Sequence, residues 1–549
     1  MGLGVLRHAP RNGAGAMGRA AHELPGDLLR DEAWPRPQRG VELVETHLSW
    51  VFRGDRDVFK VKKPLALGFV DFGSVGRRKA ACEDEVRLNS RMAPGIYAGV
   101  VPIVRREGRG LALCGAGEVV DWAVHMVRLD DARRADALVA RDALPEGTLE
   151  AVARMVAEMH ARAAVTPQKA SALASAYAVA RNVRDNFEQL RAAAKTSPSL
   201  DRQIVTEVEE RQTAFVRERA HLFAARIEDG RIRDGHGDLR LEHVYFEDAG
   251  LRIIDCIEFD ERYRIGDVCA DVAFLAMDLT GRGRADLAEG FLADYARAAQ
   301  DYDLYGLVDF YEGYRAVVRA KVSAMLAGQP EAADGARRMA AEQVELHLRV
   351  AQGSGRPPAV PPALICVGGI IASGKSTLAS GLGRALSCPV ADADRTRKHV
   401  LGRAENASMH EGPWQGAYDP AVSERTYEEV LRRASLVLAS GRTAIVDASF
   451  RSARWRVRAR ELAHALEASF AFVECRAPLE VCRERLARRA RGPSDAHPEV
   501  FDAFASSFEP ASEVARAEHI VVDTTGPLEG GIALVRERAP LRHTFRRRG

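Results

Sequence analysis

Residues 369–377 read Gly369-Ile-Ile-Ala-Ser373-Gly374-Lys375-Ser376-Thr377, a glycine-framed turn followed at once by a lysine and two hydroxyls. The spacing GxxxxGKS suits the gripping of nucleotide phosphates. Glycines let backbone N–H groups turn inward around phosphate oxygens, and a helix opening here adds the partial positive charge of its N-terminus. Lys375 is placed for the β- and γ-phosphates of ATP and the Ser376 hydroxyl for Mg²⁺. Gly369, Ser373, Gly374 and Thr377 complete the expected nucleotide contacts.

Acids follow at strand ends. In Val390-Ala-Asp392-Ala-Asp394-Arg395-Thr396-Arg397, Asp394 can take the proton of an acceptor hydroxyl, and Arg397 can clamp an anionic acceptor. The competing reading is a helix N-cap aspartate with a solvated arginine. The strand Thr443–Asp447 ends in an acid placed to hold Mg²⁺ or its water shell. After the strand at 471–475 a helix carries Arg483, Arg485, Arg488, Arg489 and Arg491. Arg485 and Arg489 are expected to close over the transferring phosphate, the rest to face solvent. The basic run Arg451–Arg460 around Trp455 reads as an exposed amphipathic helix rather than a nucleic-acid contact.

A second constellation lies upstream, His236-Gly237-Asp238-Leu-Arg240-Leu-Glu242-His243, then Val244–Glu247, a turn at 248–250, and Leu251–Asp255. A hairpin pairing Glu247 with Leu251 sets His243 directly opposite Asp255, close enough for two metal ligands to converge. Asp238 lies on the loop just before them. A carboxylate for the acceptor hydroxyl beside two metal ligands is the core of a phosphoryl-transfer site. A one-residue register slip undoes that pairing.

The elements needed to position these groups are legible. Residues 41–62 alternate in the strand manner about Gly54-Asp55. Helical spacing runs from Arg77 to Met92 and stops at Pro94-Gly95. Strand-like stretches follow at 99–104, 111–114 and 118–127, then helical patterns over 148–226 and 267–350. Gln352–Pro362, rich in Gly and Pro, reads as a linker, after which strands and helices alternate as in a parallel sheet. The expected division is a tail over 1–40, one domain over 41–350, a linker over 351–362, a second domain over 363–525, and a helix with a basic tail over 526–549.

The chain has 549 residues with 79 basic and 77 acidic groups, so no overall field favours nucleic acid. No apolar run is long enough for a membrane span. The eight cysteines form no CxxC, which reads as free thiols of a reducing, cytoplasmic compartment. Met1–Ala20 lacks the apolar core of a signal peptide, and Met17 offers a second start. Only nine basic residues are lysine, three of them at 60–63 and one at 375. A chain that otherwise uses arginine keeps lysine where a compact ammonium is wanted.

Residues 363–525 resemble the small P-loop kinases. DADRTR at 392–397 is similar to a stretch of adenylylsulfate kinases, while IVDASF at 445–450 and the arginine-rich segment are similar to gluconate kinases and the kinase domain of polynucleotide kinase. Residues 41–345, most clearly 236–271, resemble the aminoglycoside phosphotransferase and choline kinase-like families of the protein kinase-like fold. That resemblance makes Asp238 the catalytic base and Asp255 the main Mg²⁺ ligand, with His243 in place of the usual Asn. Imidazole is a poorer Mg²⁺ ligand than a carbonyl oxygen. It makes Lys60 or Lys62 the lysine on the α- and β-phosphates, Lys60 being favoured, and Glu85 or Glu83 its partner. Residues 119–127 become a hinge between lobes, and Asp267 and Asp271 a structural acidic pair. The implied architecture is an α+β two-lobed kinase-like domain followed by an α/β P-loop domain with a parallel sheet. The implied activity is transfer of the γ-phosphate of ATP, with Mg²⁺, to small hydroxylated acceptors. The alternative is a nucleotide-gated regulator with a catalytically weak N-terminal domain.

Overall fold

The structure, a computed structural model, describes residues 24–46, 48–67, 70–108, 110–194, 200–329, 333–354, 362–404, 412, 414–488 and 498–539. The chain divides into two compact units. One takes residues up to Arg282 together with Phe310–Gln352, the other Gly283–Asp309 together with Gly353 onward. Residues 283–309, expected in the N-terminal domain, therefore belong to the second unit.

The first unit opens on a six-stranded antiparallel sheet ordered Glu42–Glu45, Ser49–Arg53, Asp57–Lys62, Glu118–Val127, Tyr97–Arg106, Gly110–Leu113. Alternation in Asp57–Lys62 sends Phe59 and Val61 to a core shared with Phe52, Ile103 and Leu111. Leu24, Leu28 and Trp34 complete that core, so residues 24–40 are part of the domain rather than a tail. Trp34 packs edge-on to Phe59 with ring centroids 4.9 Å apart. Helix Val75–Asn89, capped by Ser74, covers the other face with Cys82, Glu85 and Leu88. The expected hinge at 119–127 is instead a central strand, paired on both sides.

The rest of the described part of this unit is mainly helical, with three short antiparallel pairs, Ala66–Leu67 with Val70–Asp71, Ile232–Asp234 with Ile265–Asp267, and the hairpin Val244–Glu247 with Gly250–Ile253. The apolar helix Val268–Gly281 runs through its centre, with ten of its residues buried. Asp271 on that helix accepts the backbone N–H of His236 at 2.6 Å and of Gly237 at 2.8 Å, which pins the loop carrying Asp238. Gly237 has φ +82°, and a Cβ there would lie 2.7 Å from the Tyr263 carbonyl oxygen, so the position requires glycine.

In the second unit five parallel strands run in the order Val390–Asp392, Ala444–Asp447, Ala363–Gly368, Ser469–Arg476, His519–Asp523. Ala363–Gly368 is central and wholly buried, as its unbroken apolar run requires. Helices Lys375–Leu386 and Leu528–Arg538 pack on one face through Leu378, Leu382 and Val535. The strand at 519–523 and the helix after it are thus core elements, although strand assignment from sequence stopped at 475. Residues 283–309 join the first strand, where the Tyr302 hydroxyl donates to the Val390 carbonyl at 2.6 Å. Arg442 is clamped between Glu289 at 2.7 Å and Asp309 at 2.8 Å.

Candidate active sites

In the second unit Gly369 has φ +144°, and a Cβ there would lie 2.6 Å from the Cys475 carbonyl oxygen. The tight turn runs from Gly369 into helix Lys375–Leu386, whose N-cap is Gly374. Two openings meet at this turn. One, about 1120 Å³, is bordered by Gly374, Lys375, Ser376, Thr377, Arg485 and Thr524. The other, about 870 Å³, is bordered by Gly369, Lys375, Ser376, Asp394, Arg397, Asp447 and Arg451 with Tyr418, Tyr427 and Phe504. Lys375 and Ser376 stand where both meet. Ser373, buried, faces neither opening, and its Oγ has no hydrogen-bond partner among the described residues.

Asp447 ends its strand beside Lys375 and bonds Ser376. Burial pushes its carboxyl up to about 6 against the opposing pull of Lys375 and Ser376. Its Oδ1 is buried without a hydrogen-bond partner. Asp392 and Asp394 divide the two readings of their motif. Asp392 is the helix N-cap, accepting Arg395 N–H at 2.7 Å. Asp394 faces the smaller opening, that of about 870 Å³, and holds Arg397 at 2.7 Å. The Arg397 Nε is buried without an acceptor among the described residues. Arg485 donates to the Thr524 carbonyl at 2.7 Å, beside the phosphate turn. Arg489 lies outside the described residues.

The basic run at 451–460 enters the expected amphipathic helix, Ala453–Ala465, with Arg454 and Arg458 exposed, but not all of its basic residues face solvent. Arg456 is 1% exposed and paired with Glu513, and Trp455 is buried. Arg451 borders the smaller opening, its guanidinium 4.2 Å from the Trp414 ring centre and 4.9 Å from that of Phe504. Sequence reading missed Arg451 and Thr524; the one signal for Arg451 was its place four residues after Asp447.

In the first unit Lys60 Nζ donates to Glu85 Oε1 at 2.8 Å and Asp255 Oδ1 at 2.6 Å. Lys62 is held by Glu85 Oε2 at 2.5 Å and by Glu258. Lys60 is the one that reaches Asp255, and its side chain is 14% exposed against 1% for Lys62. Burial alone would lower the Lys60 ammonium, but Asp255, Glu85 and Glu258 outweigh it and hold its pKa well above the ordinary value. Burial works against the ionised Asp255 too, yet Lys60 and His243 bring its carboxyl far below the usual range. Glu83 instead faces Lys79 on the exposed side of the helix, 3.6 Å away.

The hairpin register differs from expectation. Glu247 pairs with Gly250 and Val244 with Ile253, one residue off, so Ile254 rather than Asp255 lies across from His243, donating its N–H to the His243 carbonyl at 2.9 Å. His243 Nε2 nevertheless stands 3.5 Å from Asp255 Oδ2. The reason is the backbone at Asp255, φ +64°, which swings the carboxylate round at the strand end. Tyr97 Oη and Asn89 Oδ1 accept the N–H groups of Asp255 and Cys256 at 3.2 and 2.8 Å and hold the bend. His243 Nδ1 donates to the Asp238 carbonyl at 2.8 Å. In the neutral ring, Nε2 then presents a lone pair to Asp255, an arrangement that invites a cation.

Asp238 is not open. Arg240 holds both its oxygens, Nε to Oδ1 and Nη2 to Oδ2, each at 2.9 Å. Burial opposes the charge on Asp238, but Arg240 and His243 prevail and keep its carboxyl well below the ordinary range. This fork was not foreseen.

A family model described as the phosphotransferase enzyme family matches residues 62–308, and one described as an AAA domain matches 364–511. An uncharacterized protein of Mycobacterium tuberculosis (strain ATCC 25618 / H37Rv) is 35% identical over 495 residues, 90% of this chain and 94% of its own. An uncharacterized Mycobacterium bovis protein matches at the same values. Among solved structures, a choline kinase of Cryptosporidium parvum Iowa II covers 61% of this chain and 94% of its own at 11% identity and a TM-score of 0.36. A gluconokinase of Sinorhizobium meliloti 1021 covers 33% and 95% at 20% identity and a TM-score of 0.25.

Proposed function

The chain belongs to the family of these mycobacterial proteins and itself joins a phosphotransferase-family kinase-like domain to a P-loop kinase domain, and on that premise we propose a phosphotransferase with two ATP sites serving small hydroxylated acceptors. One observation carries the reading. In each unit a lysine and a strand-end carboxylate come together beside a second acid, Lys375 with Asp447 and Asp394, Lys60 with Asp255 and Asp238.

In the P-loop domain the turn from Gly369 to Thr377 would cradle the phosphates, and Lys375 would neutralise charge gathering on the transferred group. Ser376 and the partnerless oxygen of Asp447 fit Mg²⁺, being hard oxygen donors side by side. Asp394 would orient and deprotonate the acceptor hydroxyl, while Arg397 and Arg451 hold an anionic part of it. Arg485 lies on the nucleotide side of the turn. In the kinase-like domain Lys60, steadied by Glu85, would take the α- and β-phosphates. Asp255 fits Mg²⁺ well, and His243 fits a borderline metal better. When bound, the metal neutralises phosphate charge and aligns the γ-phosphate. Asp238 would serve the acceptor hydroxyl once Arg240 lets go.

The grip of Arg240 on Asp238 favours a second reading, a regulator whose N-terminal site binds nucleotide and transfers nothing. Equilibrium binding of labelled ATP with Mg²⁺ to the full chain tests the two-site proposal. Two ATP molecules per chain are expected, one in Lys375→Met or in Lys60→Met, and none in the double variant. A stoichiometry of one that Lys60→Met does not change removes the N-terminal nucleotide site.

A further inference from the structure

The first unit holds a cavity of about 660 Å³ that the phosphoryl-transfer reading does not use. That size is usual for a small-molecule site. Its walls come from helices Thr148–Arg162, Pro167–Ala174, Ala176–Ala194, Val268–Gly281 and Val308–Ala327 and from the strands Ile232–Asp234 and Ile265–Asp267. Lys60, Asp238 and Asp255 do not border it, but Asp271 does. The cavity therefore lies behind the loop that Asp271 pins through the N–H groups of His236 and Gly237. The polar groups on its border differ in whether their bonds are already made. Asp267 is held by Arg226 at 2.7 Å, and Asp271 by the two backbone N–H groups and by His160 at 3.2 Å. Arg262 and Arg264 are taken by Asp260 and Asp234. The groups left over are mainly donors. Tyr311 is 5% exposed, and its hydroxyl has no hydrogen-bond partner among the described residues. The Arg315 side chain, 12% exposed, gives its Nε to the Ala270 carbonyl at 3.0 Å, while its Nη2 stays 3.9 Å from Asp271 Oδ1, beyond hydrogen-bond reach. Arg233, half-buried, also borders the cavity and has no acid partner among the described residues. Leu173, Val179 and Ile265 supply an apolar wall. Desolvated donors left unmet are costly, and a ligand that brings an acceptor removes the cost.

We propose that this cavity is a separate ligand site for an oxyanion, a carboxylate or a phosphate ester, carried on an apolar body. Arg315 and the Tyr311 hydroxyl take the oxyanion, and Leu173, Val179 and Ile265 take the body. Asp271 is the one acid nearby, and its oxygens are already met by two N–H groups and His160, while Arg315 and Arg233 together outnumber its charge. The site does not depend on what either domain phosphorylates. Its consequence for the domain runs through Asp271. A ligand lodged against that carboxylate binds only while the His236–Gly237 turn is in place, so occupancy opposes opening of the loop that carries Asp238.

The test uses the full chain with three probes of one shape, 2-naphthoate, 2-naphthyl phosphate and the neutral 2-naphthamide, titrated by calorimetry at constant ionic strength. At least one anion should bind saturably and the amide at least about tenfold more weakly, since a hydrogen bond to a charged group is worth about 1.5–3 kcal/mol. The tighter of the two anions tells a carboxylate ligand from a phosphate ester. Arg315→Met should weaken the anion at least about tenfold, and Arg315→Lys should restore part of the affinity by keeping the charge. Tyr311→Phe, which removes one oxygen and leaves the ring, should weaken it several-fold, so the proposal stays testable if Arg315→Met does not fold. The opening beside Arg397 and Arg451 also presents guanidiniums, so Arg451→Met is the control and should leave the anion bound. At ten times the Kd of the probe, amide exchange at His236 and Gly237 should slow about tenfold. Saturable binding of neither anion, binding of the amide as tight as that of the anions, or binding lost in Arg451→Met and kept in Arg315→Met and Tyr311→Phe overturns the site. Exchange at His236 and Gly237 that the bound probe leaves unchanged overturns its hold on the loop.

Discussion

A catalytic base is useful when its lone pairs face the substrate, and both oxygens of Asp238 face Arg240. Asp238→Asn in the Lys375→Met chain is expected to cut N-terminal turnover by about 10²–10⁴-fold while ATP still binds, measured as labelled phosphate transfer. Equal loss of ATP binding would mark Asp238 as structural. His243 poses a different question, because its Nε2 looks toward Asp255 from 3.5 Å. With imidazole as a ligand the site should accept Mn²⁺ better than Mg²⁺. His243→Asn should shift the ratio of Mn²⁺- to Mg²⁺-supported ATP binding toward Mg²⁺, and an unchanged ratio would remove His243 from the metal. Much of this chemistry was legible residue by residue, since Lys375, Asp447, Asp394, Asp255 and Lys60 announce themselves by strand ends and spacing. Arg240 and Arg451 did not, because an arginine in a chain this rich in arginine carries no signal until its neighbours in space are known.

At the scale of elements, the hairpin Val244–Ile253 shows how sequence reading can reach the right neighbours by the wrong route. The turn closes on Glu247 and Gly250, a tighter choice than the three-residue turn the spacing suggested. Alternation alone cannot distinguish the two, and the left-handed bend at Asp255 leaves no trace in side-chain periodicity. Helix Val268–Gly281 falls within the helical spacing read over 267–350, and Asp271 on it, read as structural, holds the Asp238 loop. Asp271→Ala, which orphans the buried N–H groups of His236 and Gly237 and removes a carboxylate from beside His160, should cost about 3–5 kcal/mol by urea unfolding. The helix Asp334–Gly353 adds an acid-sensitive element. Burial, with Arg319 nearby, holds the His347 imidazole down at about 4 from an ordinary 6.5. The unfolded chain therefore binds the proton first. The neutral-histidine contribution is complete above about pH 6.5 and is lost as pH falls toward about 4, at roughly 1.4 kcal/mol per unit. Between pH 7.5 and 4.5 the stability of His347→Gln should fall less steeply than that of the parent chain. Parallel curves would show that the imidazole is protonated as readily when folded.

For the whole molecule, the division at 352–362 expected from Gly and Pro content is only half of the boundary, because the second unit also claims residues 283–309. Sequence pattern could not reveal this. Helix Ala285–Ala299 is amphipathic, but periodicity states that a face is buried, never against what. The claim is made by polar anchors. Arg442 is fixed by Glu289 and Asp309, Arg433 donates to Gln300 at 2.8 Å, and Arg432 pairs with Asp303 at 2.9 Å. Arg433 is 2% exposed, and stripping a buried guanidinium of its partners costs about 3–5 kcal/mol. A fragment beginning at 353 therefore lacks part of its own core, and Lys375→Met is best judged in the full chain. Three measurements follow from the same contacts. The fragment 353–549 expressed alone should unfold at a lower urea concentration than the second unit does in the intact protein. Arg442→Met in the full chain should reproduce part of that loss. A specific protease site placed within 355–361 and cut in the folded protein should leave two pieces that co-elute on gel filtration and part only in denaturant, because residues 283–309 stay bonded to the N-terminal piece while packed in the C-terminal unit. Pieces that separate at once without denaturant, each as stable as in the intact chain, would show that residues 283–309 are dispensable to the P-loop domain.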